Sequence, residues 1–248
     1  MTEPFTPPAI IRFGPVDSTQ NVAWGLVDEN VADGTVVTAE SQHDGRGRRG
    51  RQWHDEPGAS LAASIILRPR LAVSALGGLS FAAALAVAEA LESQAGLAPR
   101  LKWPNDVLVD RRKIAGILLE SRATPAPVVV VGVGINLAQK VFPAALADRA
   151  TSVALAGGRA VSAETLLDAV VRTLDVWRRR LEDDGFEPLR QRWRALADTL
   201  GRRVTIDGVE AVAVDLDADG ALLVRRDGAV QRVVAGEVTE GVRDAARD

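Results

Sequence analysis

Residues 45 to 51 read GRGRRGR, which sets Arg46, Arg48, Arg49 and Arg51 among three glycines. Guanidinium groups this dense hold phosphate or carboxylate oxygens through paired N–H donors. The glycines would let consecutive backbone N–H groups gather into one anion-favouring concavity. The spacing is not that of a GxxxxGKS or GxxxxGKT phosphate loop. Taken alone, the run suits a solvated basic loop, a nucleic-acid patch or a nucleotide site equally well.

Four other stretches carry polar groups beside glycine or at an element end. Asp17, Ser18 and Thr19 offer short hydroxyl donors, or a plain helix N-cap. In KWPND (102–106), Pro104 stiffens a turn from which Lys102, Asn105 and Asp106 project. KIAGIL (113–118) places Lys113 at the head of a strand, where a lysine can also serve only to protect a sheet edge. GVGIN (132–136) opens like a dinucleotide fingerprint, but Leu137 stands where the third glycine belongs, so that reading fails. Only three of the 30 basic residues are lysines, Lys102, Lys113 and Lys140. Either an arginine bias spares three positions by chance, or a compact ammonium on a flexible stem is needed there.

These groups need a scaffold, and the chain supplies one. With 248 residues, 47% of them hydrophobic, it can bury a full core. The net charge of −3 argues against a surface built for non-specific DNA binding, so any anion site is local. The lack of cysteine excludes disulfides, thiolate nucleophiles and Cys-ligated zinc, and two histidines, His43 and His54, make a multi-histidine metal site a poor fit. No leader pattern opens the chain, and no segment is expected to reach the roughly 18 uncharged apolar residues of a membrane span. A cytoplasmic protein is expected.

The hydrophobic periodicity predicts strands at 34–41 and 60–69, so the arginine run should be a loop between them. An apolar segment, 74–96, reads as a buried helix stopped by Gly96. RLKWPNDVLVD, KIAGILLES and PVVVVGVGINL read as three strands, separated by the turns DRR and RATPAP. Ser162 should cap a helix reaching about Asp183, with a second helix near 186–200. After Gly201, short alternating strands with Asp-Gly turns predict a small β-barrel or meander. The expected organisation is a mixed α and β domain, 1–200, followed by a small all-β domain, 201–248. The Pro-rich first eight residues stand apart from both.

In their order along the chain, DST, GRGRRGRQW, KWPNDV, KIAGIL and GVGIN resemble biotin protein ligases. The resemblance runs from about residue 10 to the end. It implies an α+β fold with a class II aminoacyl-tRNA-synthetase-like catalytic domain and a small C-terminal β-barrel of the Src-homology type. It also implies an ATP- and magnesium-dependent enzyme that makes biotinyl-5′-adenylate and passes biotin to a lysine of a biotin carboxyl carrier protein or domain. The form expected is monofunctional, without an N-terminal DNA-binding module, acting on neither DNA nor membrane, as a monomer or weak homodimer.

By the family pattern, Arg48, Lys113, Lys102 and Asp106 would be catalytic, with Asp106 the nearest acceptor for the attacking lysine's proton. Biotin would meet Ser18, Thr19, Gln20, Gln42, Gly45, Arg46, Gly47, Arg48, Lys113 and Gly116. ATP would meet Arg49, Arg51, Trp53, Lys102, Asn105, Asp106, Gly134 and Asn136. No metal ligand is assigned. Gln20 departs from the asparagine frequent after Ser-Thr, and His43 and Asp44 stand where small or neutral residues are frequent. The segment after Asn136 should cover adenine, yet no aromatic stands at its far end to stack on the base, and Phe142 is an aromatic outside the aligned position. The rivals are a lipoate protein ligase of the same fold, a nucleic-acid module using the arginine loop, and a non-catalytic small-molecule binder. The acidic balance and the absence of aromatics among the arginines oppose the second.

Overall fold

The computed structural model describes residues 9–123, 126–236 and 238–240. The Pro-rich start, two residues of the RATPAP turn and the final eight residues lie outside them.

A seven-stranded sheet in the order β1-β2-β3-β7-β6-β5-β4 forms the body. Its strands are β1 (Ile10–Val16), β2 (Val36–Gln42), β3 (Ser60–Leu67), β4 (Arg100–Lys102), β5 (Asp106–Val109), β6 (Arg112–Arg122) and β7 (Val128–Asn136). Only β1 and β2 run parallel, joined across helix α1 (Thr19–Asp28); every other neighbouring pair is antiparallel. Strand β1 was not predicted. Its Gly14 and Pro15 weaken the pattern, and a strand tolerates proline there because it lies at the sheet edge.

Residues of alternate parity face opposite sides of a strand, and this sets the whole layout. On β3, β6 and β7 the odd positions, among them Leu61, Ile65, Ile117, Val129, Val131 and Ile135, enter the main core. Against them pack α2 (Gly78–Ala90) and α3 (Ala163–Asp184), and α4 (Glu187–Leu196) packs on those two helices and on β4. The even side meets α1 through Ala23, Val37, Ile66, Val128 and Val130. Next to that apolar contact the even side carries Ser64, Leu118, Glu120 and Gly132, which α1 meets only through polar side chains, and then Gly116 and Gly134.

Helix α2 is apolar all round because sheet and α3 enclose it; a Cβ on Gly78 would come within 2.9 Å of Leu181, so glycine there lets the helices touch. A membrane-length apolar segment, not expected from the sequence, is present at Val73–Ala95, with 67% of its most apolar window buried. Its neighbours in the fold account for its composition. Ser162 caps α3 by accepting from the Thr165 amide, and Leu166, Val170, Leu174, Trp177 and Leu181 form its buried stripe.

The small sheet, ordered β11-β10-β9-β8-β12, comprises β8 (Arg203–Ile206), β9 (Val209–Leu216), β10 (Leu222–Arg226), β11 (Ala229–Val233) and β12 (Val238–Glu240). All of its pairings are antiparallel. Its Asp207-Gly208 and Asp227-Gly228 turns have positive φ at both residues, the conformation that lets two-residue hairpins follow strand twist. Trp103 binds the two sheets together: its amide donates to Thr199 Oγ1 (2.9 Å) and its indole to the Gly220 carbonyl (3.0 Å). The chain therefore has the α+β architecture expected, with a small antiparallel sheet after the mixed one.

Candidate active site

A cavity of about 510 Å³ opens over the even face of β3, β6 and β7. All five singled-out stretches reach it because they occupy neighbouring sheet ends: DST opens α1 after β1, the arginine run joins β2 to β3, KWPND joins β4 to β5, and KIAGIL and GVGIN lie in β6 and β7. All of the predicted site residues line it except Gly45. Gly45 instead closes the base of the loop, its carbonyl accepting from the Trp53 amide at 2.7 Å, and a Cβ there would lie 2.7 Å from the Trp53 carbonyl.

The recess at one end is polar but uncharged. Ser18 caps α1 through the Gln20 amide (3.3 Å) and also lines the cavity. Gln42 Oε1 accepts from the Thr19 amide (2.9 Å) and hydroxyl (3.1 Å). Thr19 Oγ1 lies 3.0 Å from Ser64 Oγ, and Ser64 donates to Gln20 Oε1 at 3.0 Å. Such a recess suits a neutral group with both donors and acceptors.

The other end is cationic. Lys113 Nζ sits 2.6 Å from Asp106 Oδ1, and Arg48 donates to Asn105 Oδ1 at 3.2 Å, while Asn105 Nδ2 is anchored on the Ile117 carbonyl at 2.6 Å. Burial pulls the Arg48 guanidinium below its usual pKa, Asp106 counteracts it, and the charges of Arg49 and Arg51 add to the lowering. Arg48 is thus a cation with little water and a carboxylate for company. Lys102 lines the same wall; of the three lysines only Lys140 faces elsewhere, a shallow cleft beside His54 and Phe142. Among the described residues no group of three or more His, Cys, Asp or Glu side chains is placed to hold a metal.

The floor between the two ends is bare backbone occupied by Trp53. Gly116 and Gly134 pair across β6 and β7, and a Cβ at Gly134 would come within 2.5 Å of the indole. The ring lies beneath Lys113, 5.7 Å from Nζ to centroid, and its buried Nε1 has no hydrogen-bond partner among the described residues. Asn136 is engaged as well: its Nδ2 donates to the Thr151 carbonyl (2.9 Å) and its Oδ1 accepts from Gln139 (3.3 Å), tying β7 to the 139–151 segment.

The arginine loop departs from the anion-nest expectation. Arg46 pairs with Gln52 in an antiparallel bridge, the Gly47 amide donates to the Arg51 carbonyl (2.7 Å), and the Arg51 amide to Arg48 (3.2 Å). With the Gly47 and Arg51 amides committed inside the loop, the loop's guanidinium groups are what it presents along the cavity. Arg49, with φ of 56°, turns at the tip and pairs with Asp207 of the β8–β9 turn at 2.7 Å. Sequence reasoning missed Ser64, Leu118, Leu146, Asp148, Arg149, Gly236, Val238 and Thr239, which also line the cavity. The serine that interrupts the apolar run LAASIIL was the available signal for Ser64; the contribution of β12 left none. Phe142 does line the cavity.

A two-sheet α+β fold with a cationic pocket joined to a neutral hydrogen-bonding recess defines a class of acyl-activating ligases, and the comparisons agree. Residues 13–136 match the Biotin/lipoate A/B protein ligase family, and residues 199–239 match the Biotin protein ligase C terminal domain. The chain is 40% identical over 236 residues to the biotin acetyl-CoA-carboxylase ligase of Paracoccus denitrificans, covering 91% of this chain and 98% of that one. It is 35% identical to the protein of the same name from Mycobacterium tuberculosis, covering 83% and 79% of the two chains. A solved biotin protein ligase from Aquifex aeolicus, in complex with biotin and ATP, superposes with a TM-score of 0.82 at 29% identity, covering 95% of this chain and 99% of that one. This chain belongs to the biotin protein ligase family. It is a biotin ligase, with biotin and ATP as its substrates, and the lipoate alternative is not favoured.

Proposed function

We propose that this cavity carries out both steps of biotin transfer, with a catalytic part through residue 200 and a small β-part from 201. The observation that carries the reading is the junction, in one cavity, of the uncharged recess at Thr19, Gln42 and Ser64 with the cations Arg48, Lys102 and Lys113. In the first step a carboxylate oxygen of biotin attacks the α-phosphorus of ATP and pyrophosphate leaves. Both reactants are anions, so cations must offset their repulsion and hold them in line.

Arg48 and Lys113 take the biotin carboxylate and the nascent acyl phosphate, and Lys102, Arg51 and Asn105 the nucleotide. The recess holds the ureido head through Ser18, Thr19 and Gln42, with Gly116 giving the chain of the ligand room against the sheet. Asp106 keeps Lys113 at the wall until an anion shares it. In the second step the ε-amine of the carrier lysine attacks the acyl carbon and AMP leaves. Asp106 is the carboxylate placed to take the proton the amine loses.

Magnesium enters as part of the ATP complex. It would be held mostly by phosphate oxygens and water, with Asp148 the carboxylate on the cavity wall that is not paired with Lys113. The acceptor is a lysine on a biotin carboxyl carrier protein of a carboxylase. Pyrophosphate release that requires biotin and ATP together, followed by biotin transfer to such a carrier, tests the reading; release driven by lipoate instead of biotin refutes it.

A further inference from the structure

Glu120 is on the even face of β6, next to the recess, and is 27% exposed. It receives four donors from three side chains. Gln20 Nε2 reaches Glu120 Oε2 at 3.1 Å and Trp24 Nε1 reaches it at 2.8 Å. Arg46 grips both oxygens, Nη2 to Oε1 at 2.5 Å and Nη1 to Oε2 at 3.2 Å, while Asn21 Oδ1 accepts from the same Nη1 at 3.1 Å. Burial raises the pKa of the carboxyl, but the Trp24 and Gln20 hydrogen bonds and the Arg46 charge outweigh it, and the net shift is downward. The group is an anion, and an anion can only accept.

That one-way character propagates. The buried Gln20 amide gives its Nε2 to two acceptors, Glu120 and the Val130 carbonyl (3.2 Å), so its Oε1 must face Ser64. The Ser64 proton is then committed to Gln20, at 3.0 Å, and its oxygen is left only to accept, from the one Thr19 hydroxyl proton that Gln42 Oε1 also faces. Gln42 turns its Oε1 to Thr19, which leaves its amide nitrogen as its donor. The carboxylate, together with the Val130 carbonyl, therefore fixes the donor and acceptor sense of Gln20 and Ser64, and the same carboxylate tethers the first arginine of the loop.

We infer that Glu120 is a positioning residue for biotin, orienting the Gln20, Ser64 and Thr19 relay and holding Arg46 at the mouth of the recess. The inference rests on the recess being the biotin head-group site. Uniform binding lost at one substrate raises that substrate's KM and spares kcat. The test compares full-length wild type with Glu120→Gln and Glu120→Ala in steady-state pyrophosphate release, varying biotin and ATP separately, with biotin binding measured by calorimetry.

A rise in biotin KM of about ten- to a hundredfold is expected for both variants, with kcat and the ATP KM within about threefold of wild type. The double variant with Arg46→Ala should exceed Arg46→Ala alone, since the relay acts besides the tether. A biotin KM within about twofold of wild type, or equal rises in both KM values, would overturn the inference. Glu120→Gln keeps the size of the side chain, so it reports even where Glu120→Ala does not fold. Wild type that binds no biotin would refute the underlying site assignment instead, an outcome the variants do not produce.

Discussion

Replacing Gly134 with alanine tests how the Trp53 indole is seated. The new Cβ would stand 2.5 Å from Cε2, 2.7 Å from Cζ2 and 2.9 Å from Cδ2 of that ring. Carbon atoms rest about 3.5–4.0 Å apart, so the ring must retreat by about 1 Å. Its retreat is constrained: the Trp53 amide is strapped to the Gly45 carbonyl at 2.7 Å, and the face of Gly116 lies under the ring edge. The open direction is into the cavity, where the ring would intrude on the reacting groups. Overpacking of this kind costs about 1–3 kcal/mol, which lowers the Tm of a chain this size by a few degrees. A misplacement of about 1 Å at a reaction centre costs about a hundredfold in rate. Gly134→Ala should therefore remain folded, change the fluorescence contributed by Trp53, and lose about two orders of magnitude in kcat/KM for biotin-dependent pyrophosphate release. Wild-type kcat/KM with an unchanged Trp53 signal, the latter isolated by subtracting Trp53→Phe spectra, would refute the reasoning.

Other outcomes follow from the same geometry. Lys113→Ala should lose about a hundredfold or more in adenylate formation while melting close to wild type, because the cation faces the cavity; pyrophosphate release beside a thermal melt decides it. Biotin or the adenylate should protect residues 44–54 from trypsin, and equal cleavage at Arg46 to Arg51 with and without ligand would count against loop closure. Asp198→Ala should destabilise by about 3–5 kcal/mol in urea unfolding, since it strands a buried Arg202 now held at 2.6 Å. The lowered pKa of Glu120 gives a stabilisation present above the ordinary carboxylate range and lost as pH falls through the folded value. The melting difference between wild type and Glu120→Gln should thus hold above about pH 5 and close on acidification.

The elements were legible where periodicity was strong. The β7 run, buried on both faces, and the Ser162-capped α3 both lie where the pattern put them. Strand β1 escaped because an edge strand needs little hydrophobic signal, and KWPND split its run into two strands because its proline sits in the turn between them. The stretches with chemistry were legible as motifs, but their meeting was not. Ser64 and Glu120 join the site through the parity of β3 and β6, and that parity becomes readable only once the sheet order says which face α1 leaves open. Arg49 was legible as a cation, whereas its turn toward Asp207 depends on a contact 158 residues away in sequence.

Gly236, Val238 and Thr239 help wall the cavity, and Asp207 grips the tip of the arginine loop. On the ribosome this becomes a matter of timing. Every arginine and lysine of the pocket emerges well before these residues, yet the wall they complete cannot form until the small sheet has folded. A nascent chain that already presents its cations therefore still lacks this part of the cavity wall and the carboxylate that grips the loop tip. Chains released after residue 200 should accordingly fail to retain the adenylate, even with the seven-stranded sheet in place.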